Sequence, residues 1–385
     1  MSKFDYSKKK LAIIGASYLQ LPLIKEAKKL GIETHVFAWA ANDVGEKEAD
    51  FFYPISIVEK EQILDKCREI DIDGIVTIAS DLAVITVNFI AEKMGLIGNS
   101  MESTINSTNK SVMRKCFLKN GDPSPKSILV KKYSDILEYD LSYPIIVKPT
   151  DRSGSRGITK LENSDGLNEA IELAIAASFE KMALVEEYAE GKEYSVECIS
   201  FSGHHSFLQI TEKYTTGAPH FIETGHVEPA QLSEQLLEKI KETVFHALSG
   251  LGIEYGASHS EIKISDSGQI AIIEIGGRMG GDFIGSTLVK LSTGFDFVKA
   301  VIDISLGNEP KVALSDKGFA AVRFVLNKED ASFLDDFIRL NSSSVVAADY
   351  QQPLGDEVTD SSNRYGYCIA TFSEYGQCKR YFSLS

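Results

Sequence analysis

Cysteine pairs at C-x-x-C spacing are absent. The five cysteines, Cys67, Cys116, Cys198, Cys368 and Cys378, are odd in number and no two have that spacing. A disulfide scaffold and a zinc knuckle are therefore excluded as expectations. Positive charge is in deficit as well. Forty Lys and Arg stand against 55 Asp and Glu, a net charge of −15. A nucleic-acid surface needs a basic stripe, so none is expected, although a basic pocket for a small anion stays open. No apolar run approaches the roughly 20 residues of a membrane span. The start, MSKFDYSKKK, leads only into LAIIGAS, too short for a signal peptide and readable as a strand. The expected protein is cytoplasmic, with no membrane and no nucleic-acid partner.

What is present is ordinary soluble composition at a length that implies two to four domains: 43% hydrophobic and 25% charged residues in 385. LAIIG, THVFAWA and IDGIVTIAS are strand-like runs that alternate with helical patterns such as QLPLIKEAKKLG and LAVITVNFIAEKMG. That alternation predicts a parallel α/β sheet over about the first hundred residues. Gly15 opens the first βα turn, but the second and third glycines of a dinucleotide fingerprint are missing. So is the acid after the next strand, which runs into Trp39 and Ala40. The expectation is a tight turn in a Rossmann-like sheet without NAD.

SMESTINSTNKS marks a polar break. A helix follows over KSVMRKCFLKNG and ends at Gly121, then YPIIVKP reads as a strand. Residues 166–180 look helical. From residue 194 the chain is strand-rich apart from one amphipathic helix, whose apolar face carries Leu232, Leu236, Leu237, Ile240, Val244 and Leu248. Beyond residue 310, AAVRFVL and GYCIATF read as strands.

Three segments carry chemistry. Lys148 ends an apolar strand and precedes a Ser/Gly-rich loop, Ser153-Gly154-Ser155-Arg156-Gly157. Such a loop can turn N–H groups toward phosphate oxygens, though the spacing is not a Walker loop and a surface hairpin is an equal reading. Glu261 and Glu274 lie in strand-like runs 13 positions apart (274 − 261), with the turn-like SDSGQ between them. A hairpin of that spacing sets two carboxylates side by side. They repel unless a divalent ion sits between them, or unless they simply face solvent at a hairpin edge. Arg278 stands among the glycines of IIEIGGRMGGD, where it could neutralise charge on a transferred phosphoryl group.

Taken in order, Lys110, Lys148 with its loop, VEEYAEGKEYSVE, and IIEIGGRMGGD resemble the ATP-grasp superfamily of carboxylate–amine ligases. Within it they resemble most the biotin-carboxylase-like and L-amino-acid-ligase-like group. The resemblance runs from IIGAS to about residue 310. It implies an α/β chain with a Rossmann-like domain at 1–105 and ATP-grasp subdomains at 106–190 and 191–310, followed by a β-rich region at 311–385. It implies ATP and Mg²⁺ as cofactors, the metal as two ions with Mn²⁺ as a stand-in, and a homodimer is compatible with it. Lys110 and Lys148 would contact phosphates, Ser153, Gly154, Ser155 and Gly157 would close over them, and adenine would bond the main chain of Glu187 and Tyr188 with Glu186 nearby. Glu193 would take the ribose, Glu261 and Glu274 the metal, and Arg278 the acyl phosphate.

One departure is Gly276, where many relatives place an asparagine as a third metal ligand, although the Ile-Gly-Gly-Arg form occurs in amino-acid-ligase-like members. Lys213 and His226, in the long segment EKYTTGAPHFIETGHVEPAQL, are substrate-side candidates or ordinary loop residues. His259, two positions before Glu261 and so on the same strand face, is a better one. Asp81 is a helix N-cap, or else a group at the rim of the carboxylate site. His204 and His205 read as an exposed turn pair. The implied activity activates a carboxylate as an acyl phosphate and joins it to an amine. A carboxylase or formate-activating enzyme, or a nucleotide-binding regulator without turnover, are the alternatives.

Overall fold

The computed structural model describes residues 4–152, 157–217, 221–352, 355 and 358–382. The first unit is βα-alternating: β1 (Lys10–Ile14), α1 (Leu21–Lys29), β2 (Glu33–Phe37), α2 (Val44–Glu48), β3 (Phe51–Tyr53), α3 (Lys60–Ile70), β4 (Gly74–Val76) and α4 (Asp81–Met94). Its sheet is parallel in the order β3-β2-β1-β4. The strands are buried on both faces, as Leu11, Ala12, Ile13 and Ile14 are, because helices cover both sides.

The polar stretch after it is not a break. It forms α5 (Met101–Thr108), capped by Ser100, whose hydroxyl accepts from the Ser103 N–H at 3.1 Å. Serines and threonines are poor helix formers, and tertiary packing overrides them here: Ser103, Thr104 and Ser107 are buried. α6 (Lys110–Asn120) follows, with the Asn109 side chain as N-cap and Gly121 as the left-handed stop.

The second sheet is antiparallel, in the order β5-β8-β6-β7, from β5 (Ser127–Val130), β6 (Ile145–Pro149), β7 (Thr159–Leu161) and β8 (Ala183–Glu187). α7 (Leu167–Ala177) packs on it through Leu167, Ala170, Ile171 and Ala174. The third sheet begins with β9 (Lys192–Phe201), β10 (His204–Thr215) and β11 (Glu223–Glu228). The segment expected as one long connection therefore holds the end of β10 and all of β11. α8 (Glu234–Leu251) comes next, then β12 (Gly256–Ile264) and β13 (Ile270–Gly276), a π-helical turn at Ile284–Leu288, α9 (Val289–Thr293) and α10 (Phe297–Ser305). α8 buries Ile240, Val244 and Leu248 as its pattern predicts; Leu236 and Leu237 are partly buried and Leu232 precedes the helix.

The C-terminal part is not strands alone. β14 (Phe319–Phe324), β15 (Val345–Tyr350) and β16 (Gly366–Phe372) alternate with α11 (Lys328–Leu340) and α12 (Tyr375–Phe382). Asn327 caps α11 and two acids open its first turn, a start signal that the sequence reading passed over. All three strands join the third sheet, whose order is β13-β12-β9-β10-β11-β14-β16-β15. One continuous eight-stranded sheet thus runs from the β12–β13 hairpin to the C-terminal strands. α10 returns to the first unit, where Phe297, Val301 and Ile304 share a core with Leu11, Leu23 and Ile24.

Gly191 leads into β9 with φ +116°, and a Cβ there would lie 2.2 Å from the Ile264 carbonyl oxygen. Neither the backbone angle nor the carbonyl can yield to a side chain. Gly191→Ala is expected to lower stability by more than about 1 kcal/mol, read as a fall in the urea midpoint at unchanged slope. An unchanged midpoint would contradict this account of the strand entry.

Candidate active site

The N-terminus of α6 and the facing ends of the second and third sheets enclose a cavity lined by Lys110, Lys148, Glu186, Glu261, Glu274 and Arg278, among others. Lys110 is the first residue of α6. Its N–H donates to the Thr150 carbonyl at 2.9 Å, and its ammonium donates to the Arg152 carbonyl at 2.8 Å and to Glu274 Oε1 at 2.6 Å. Lys148, from β6, pairs with Glu186 Oε2 at 2.6 Å. Arg114, one helical turn beyond Lys110, grips the same carboxylate from Nε at 2.7 Å and Nη2 at 3.2 Å. Burial acts to raise the Glu186 pKa, but the charges of Arg114 and Lys148 and their hydrogen bonds hold it below the usual carboxylate value. Glu186 is thus a charged anchor for two cations. The sequence reading placed it near adenine and missed Arg114, whose only signal was its position one turn after Lys110.

Glu261 and Glu274 are direct partners across β12 and β13. Just beyond that pair the register slips, so that Ile262 faces Ile272. A bulge of this kind leaves a ladder group unpaired. The Ile273 carbonyl at the slip accepts from Arg114 Nη2 at 2.6 Å. The guanidinium that holds Glu186 therefore also fixes the strand next to Glu274. Among the described residues no cluster of three or more His, Cys, Asp or Glu could hold a metal unaided. Two carboxylates beside lysines instead suit Mg²⁺, which draws its remaining ligands from phosphates and water.

Lys213 and His226 are strand residues and not loop residues, and they face each other across β10 and β11. Lys213 is buried, with its ammonium 2.7 Å from Glu193, 2.8 Å from Glu261 and 3.9 Å from Glu223. Burial opposes that charge, yet the carboxylates of Glu193, Glu261 and Glu223 outweigh it and raise the Lys213 pKa well above the usual lysine value. His259 lines the cavity on the same face as Glu261, with Nε2 3.5 Å from that carboxylate, and its Nδ1 meets Glu197. Glu197 is fully buried and accepts the Gly280 N–H at 2.9 Å. His226, although opposite Lys213, does not line the cavity. Its Nε2 is 3.6 Å from Asp282, and neither ring nitrogen has a hydrogen-bond partner among the described residues.

Asp81 is not the cap of α4. Ser80 is, accepting from the Ala83 N–H at 3.3 Å. Asp81 instead reaches Arg278, which donates from Nε at 2.8 Å and from Nη2 at 2.9 Å. This pair also accounts for Gly276. A Cβ at that position would stand 2.8 Å from Asp81 Oδ1 and 3.2 Å from Arg278 Nε. The arginine and its carboxylate fill the space that an asparagine side chain would need.

Ser153, Gly154 and Ser155 lie outside the described residues; Gly157, at φ +70°, follows them. The N–H groups of Glu187 and Tyr188 already donate to the carbonyls of Lys126 and Pro144, at 3.0 Å each. These two donors are thus engaged within the fold. Ala189, next along, lines the cavity too. Lys160 and Lys263 stand over the Tyr188 ring, each 4.2 Å from its centroid. His204 is exposed at the β9–β10 turn, and His205 bonds Ser200 Oγ at 2.7 Å and Ser249 Oγ at 3.0 Å, a structural arrangement with no metal character.

Residues 141–286 match the family model described as the ATP-grasp domain. The chain carries an ATP-grasp domain. The match spans β6 to β13 and so contains Lys148, Glu186, Glu261, Glu274 and Arg278. Alanine–anticapsin ligase of Bacillus subtilis is 30% identical over 291 residues, covering 66% of this chain and 61% of that protein. Human carnosine synthase 1 is 21% identical over 395 residues, covering 90% of this chain and 47% of that protein. The chain thus spans about three fifths of the length of the ligase relative. Among solved structures, L-amino acid ligase from Bacillus licheniformis superposes with a TM-score of 0.83 at 24% identity, over 98% of this chain and 96% of that one. Phosphoribosylglycinamide synthetase from Anaerococcus prevotii gives 0.77 at 22%, over 97% and 96%. The ATP-grasp architecture, with its Rossmann-like first unit, is therefore shared along nearly the whole chain.

Burial acts to raise the Asp81 pKa, but the Arg278 charge and its hydrogen bonds outweigh it and hold the carboxyl below its usual 3.8. A depressed folded pKa stabilises above the unfolded value and is lost as pH falls through the folded one. Asp81→Asn should therefore cost about 2 kcal/mol at neutral pH, and the difference from wild type should shrink below about pH 4. Urea unfolding across pH checks this; a difference that does not change with pH would contradict it.

Proposed function

We propose that the chain is an ATP-dependent carboxylate–amine ligase acting on small molecules in the cytoplasm. A substrate carboxylate attacks the γ-phosphorus of ATP, the bond to the β-phosphate oxygen breaks, and acyl phosphate and ADP result. An amine then attacks the acyl carbon, phosphate leaves with the bonding electrons, and an amide forms with loss of an amine proton. The observation that carries this reading is the opposed pair Glu261–Glu274 in one cavity with Lys110, Lys148, Lys213 and Arg278. The names of the relatives point the same way: a ligase of alanine and anticapsin, a carnosine synthase and an L-amino acid ligase.

Each residue has a task in this scheme. Lys110 and Lys148 would hold phosphate oxygens, as point charges already aimed into the cavity. Glu261 and Glu274 would hold Mg²⁺, which when bound offsets the charge of the phosphates; without an asparagine at 276, a second ion would rely on phosphate and water ligands. Arg278, kept in place by Asp81, would meet the transferring phosphoryl group, where a forked guanidinium matches two oxygens at once. Glu193 would take the ribose, and Lys213 with His259 would lie toward the substrates. Little covalent chemistry is asked of the side chains. They bring the reactants together and screen charge.

Phosphorus NMR of the chain turning over ATP with a panel of carboxylate–amine pairs tests the reading. ADP and phosphate should accumulate in step with an amide seen by mass spectrometry. AMP and pyrophosphate, or ATP consumption with no amide from any pair, would overturn it.

A further inference from the structure

Asp282 closes the glycine turn that carries Arg278, and both it and Phe283 have positive φ, +50° and +66°. Non-glycine residues are held in that region only when their surroundings insist on it, and such positions gather at ligand clamps. The holder here is Arg364, which enters from the C-terminal part of the chain just before β16. It donates to Asp282 from Nη1 at 2.9 Å and from Nη2 at 2.6 Å, and from Nη1 to the Glu223 carbonyl at 3.4 Å. Its guanidinium lies 3.6 Å over the Phe324 ring. Both partners are largely buried, at 6% and 21% side-chain exposure, so the pair is not a casual surface bridge. Tyr18, from the first unit, packs against Phe283 with its ring centroid 6.2 Å away.

A guanidinium has five N–H donors, and the bonds above use three of those on Arg364. His226 is buried with both ring nitrogens lacking a hydrogen bond among the described residues, and Nε2 is turned toward Asp282 at 3.6 Å. Both Asp282 oxygens already accept from Arg364. Those bonds leave two N–H groups of Arg364 beside the Tyr18 hydroxyl, and the cluster adjoins the main cavity through Glu223.

We infer that Arg364, oriented by Asp282 and flanked by His226, is a specificity-determining residue that holds a carboxylate of the substrate other than the one activated. The inference rests on the ligase reading. An enzyme that activates one carboxylate must keep any other away from the γ-phosphate, and a guanidinium placed by its own counter-carboxylate can do so. The bystander has two sources with the same chemistry: the α-carboxylate of an amino-acid acceptor, or a side-chain carboxylate on the donor. A site built to bind such a group discriminates strongly against an analogue without it.

Calorimetric titration in the presence of Mg²⁺ and a non-hydrolysable ATP analogue supplies the test. The probes are the standard L-α-amino acids, their α-carboxamides, and aspartate and glutamate against asparagine and glutamine. At least one acid should bind tighter than its amide by about tenfold or more. That preference should vanish in the double variant Asp282→Asn/Arg364→Gln, which leaves neither charge buried alone. Arg364→Lys alone should retain it only in part, since a lysine lacks the fork. Loss of an α-carboxylate preference in the double variant identifies the acceptor as the source, and loss of a side-chain preference identifies the donor. Three results would each overturn the inference: equal binding of acids and amides, a preference that survives in a double variant with a normal melting curve, or no binding of any probe. ADP formation scores the ligase reading separately, so a chain that turns over ATP without this preference refutes only the role of Arg364.

Discussion

Carboxylates gathered in one cleft repel one another and resist burial unless each meets a cation. Much of the arrangement here answers that constraint. Glu186 has Arg114 and Lys148, Glu274 has Lys110, Glu261 has Lys213, and Asp81 has Arg278. The carboxylates come from α4, β8, β12 and β13, and the cations from α6, β6, β10 and the glycine turn. Through α6, the Arg114 and Lys110 pairs tie the second sheet to the third, and Asp81–Arg278 ties α4 to the glycine turn. On the ligase reading, the cations lining the cavity would meet phosphates and its carboxylates a metal.

The resting pairs stand in for the ligands they would meet. On the ligase reading, a nucleotide phosphate would compete with Glu274 for Lys110, and Mg²⁺ with Lys110 for Glu274. Either exchange alone would leave one partner uncompensated in a partly buried site. Together they would exchange one set of complementary charges for another. Gly276 fits the same logic: the space beside Glu274 belongs to the Asp81–Arg278 pair, which links the first unit directly to the turn carrying Arg278.

The local parts of this design were readable from the sequence. The period of LAIIG and THVFAWA marked the parallel sheet, and the 13-residue spacing of Glu261 and Glu274 foretold their opposition across a hairpin. What failed was nonlocal or unusually local. α5 hid behind serines and threonines that only tertiary packing makes helical. Lys213 and His226 were assigned to a connection because the glycine and proline between them mask two strand ends. Arg364 could not be found at all, since its partner Asp282 lies 82 residues away and no pattern links them. Asp81 was seen, but its role depended on a contact across 197 positions.

The claim that phosphate and metal enter by mutual exchange predicts strong thermodynamic coupling, and isothermal titration of ATP with Mg²⁺ present and with Mg²⁺ chelated measures it. ATP should bind at least about tenfold tighter with the metal. In Glu274→Gln that gain should largely disappear, because Lys110 is no longer held by a carboxylate and the metal has lost a ligand. Equal ATP affinity with and without Mg²⁺, or a gain that is undiminished in Glu274→Gln, would contradict the account.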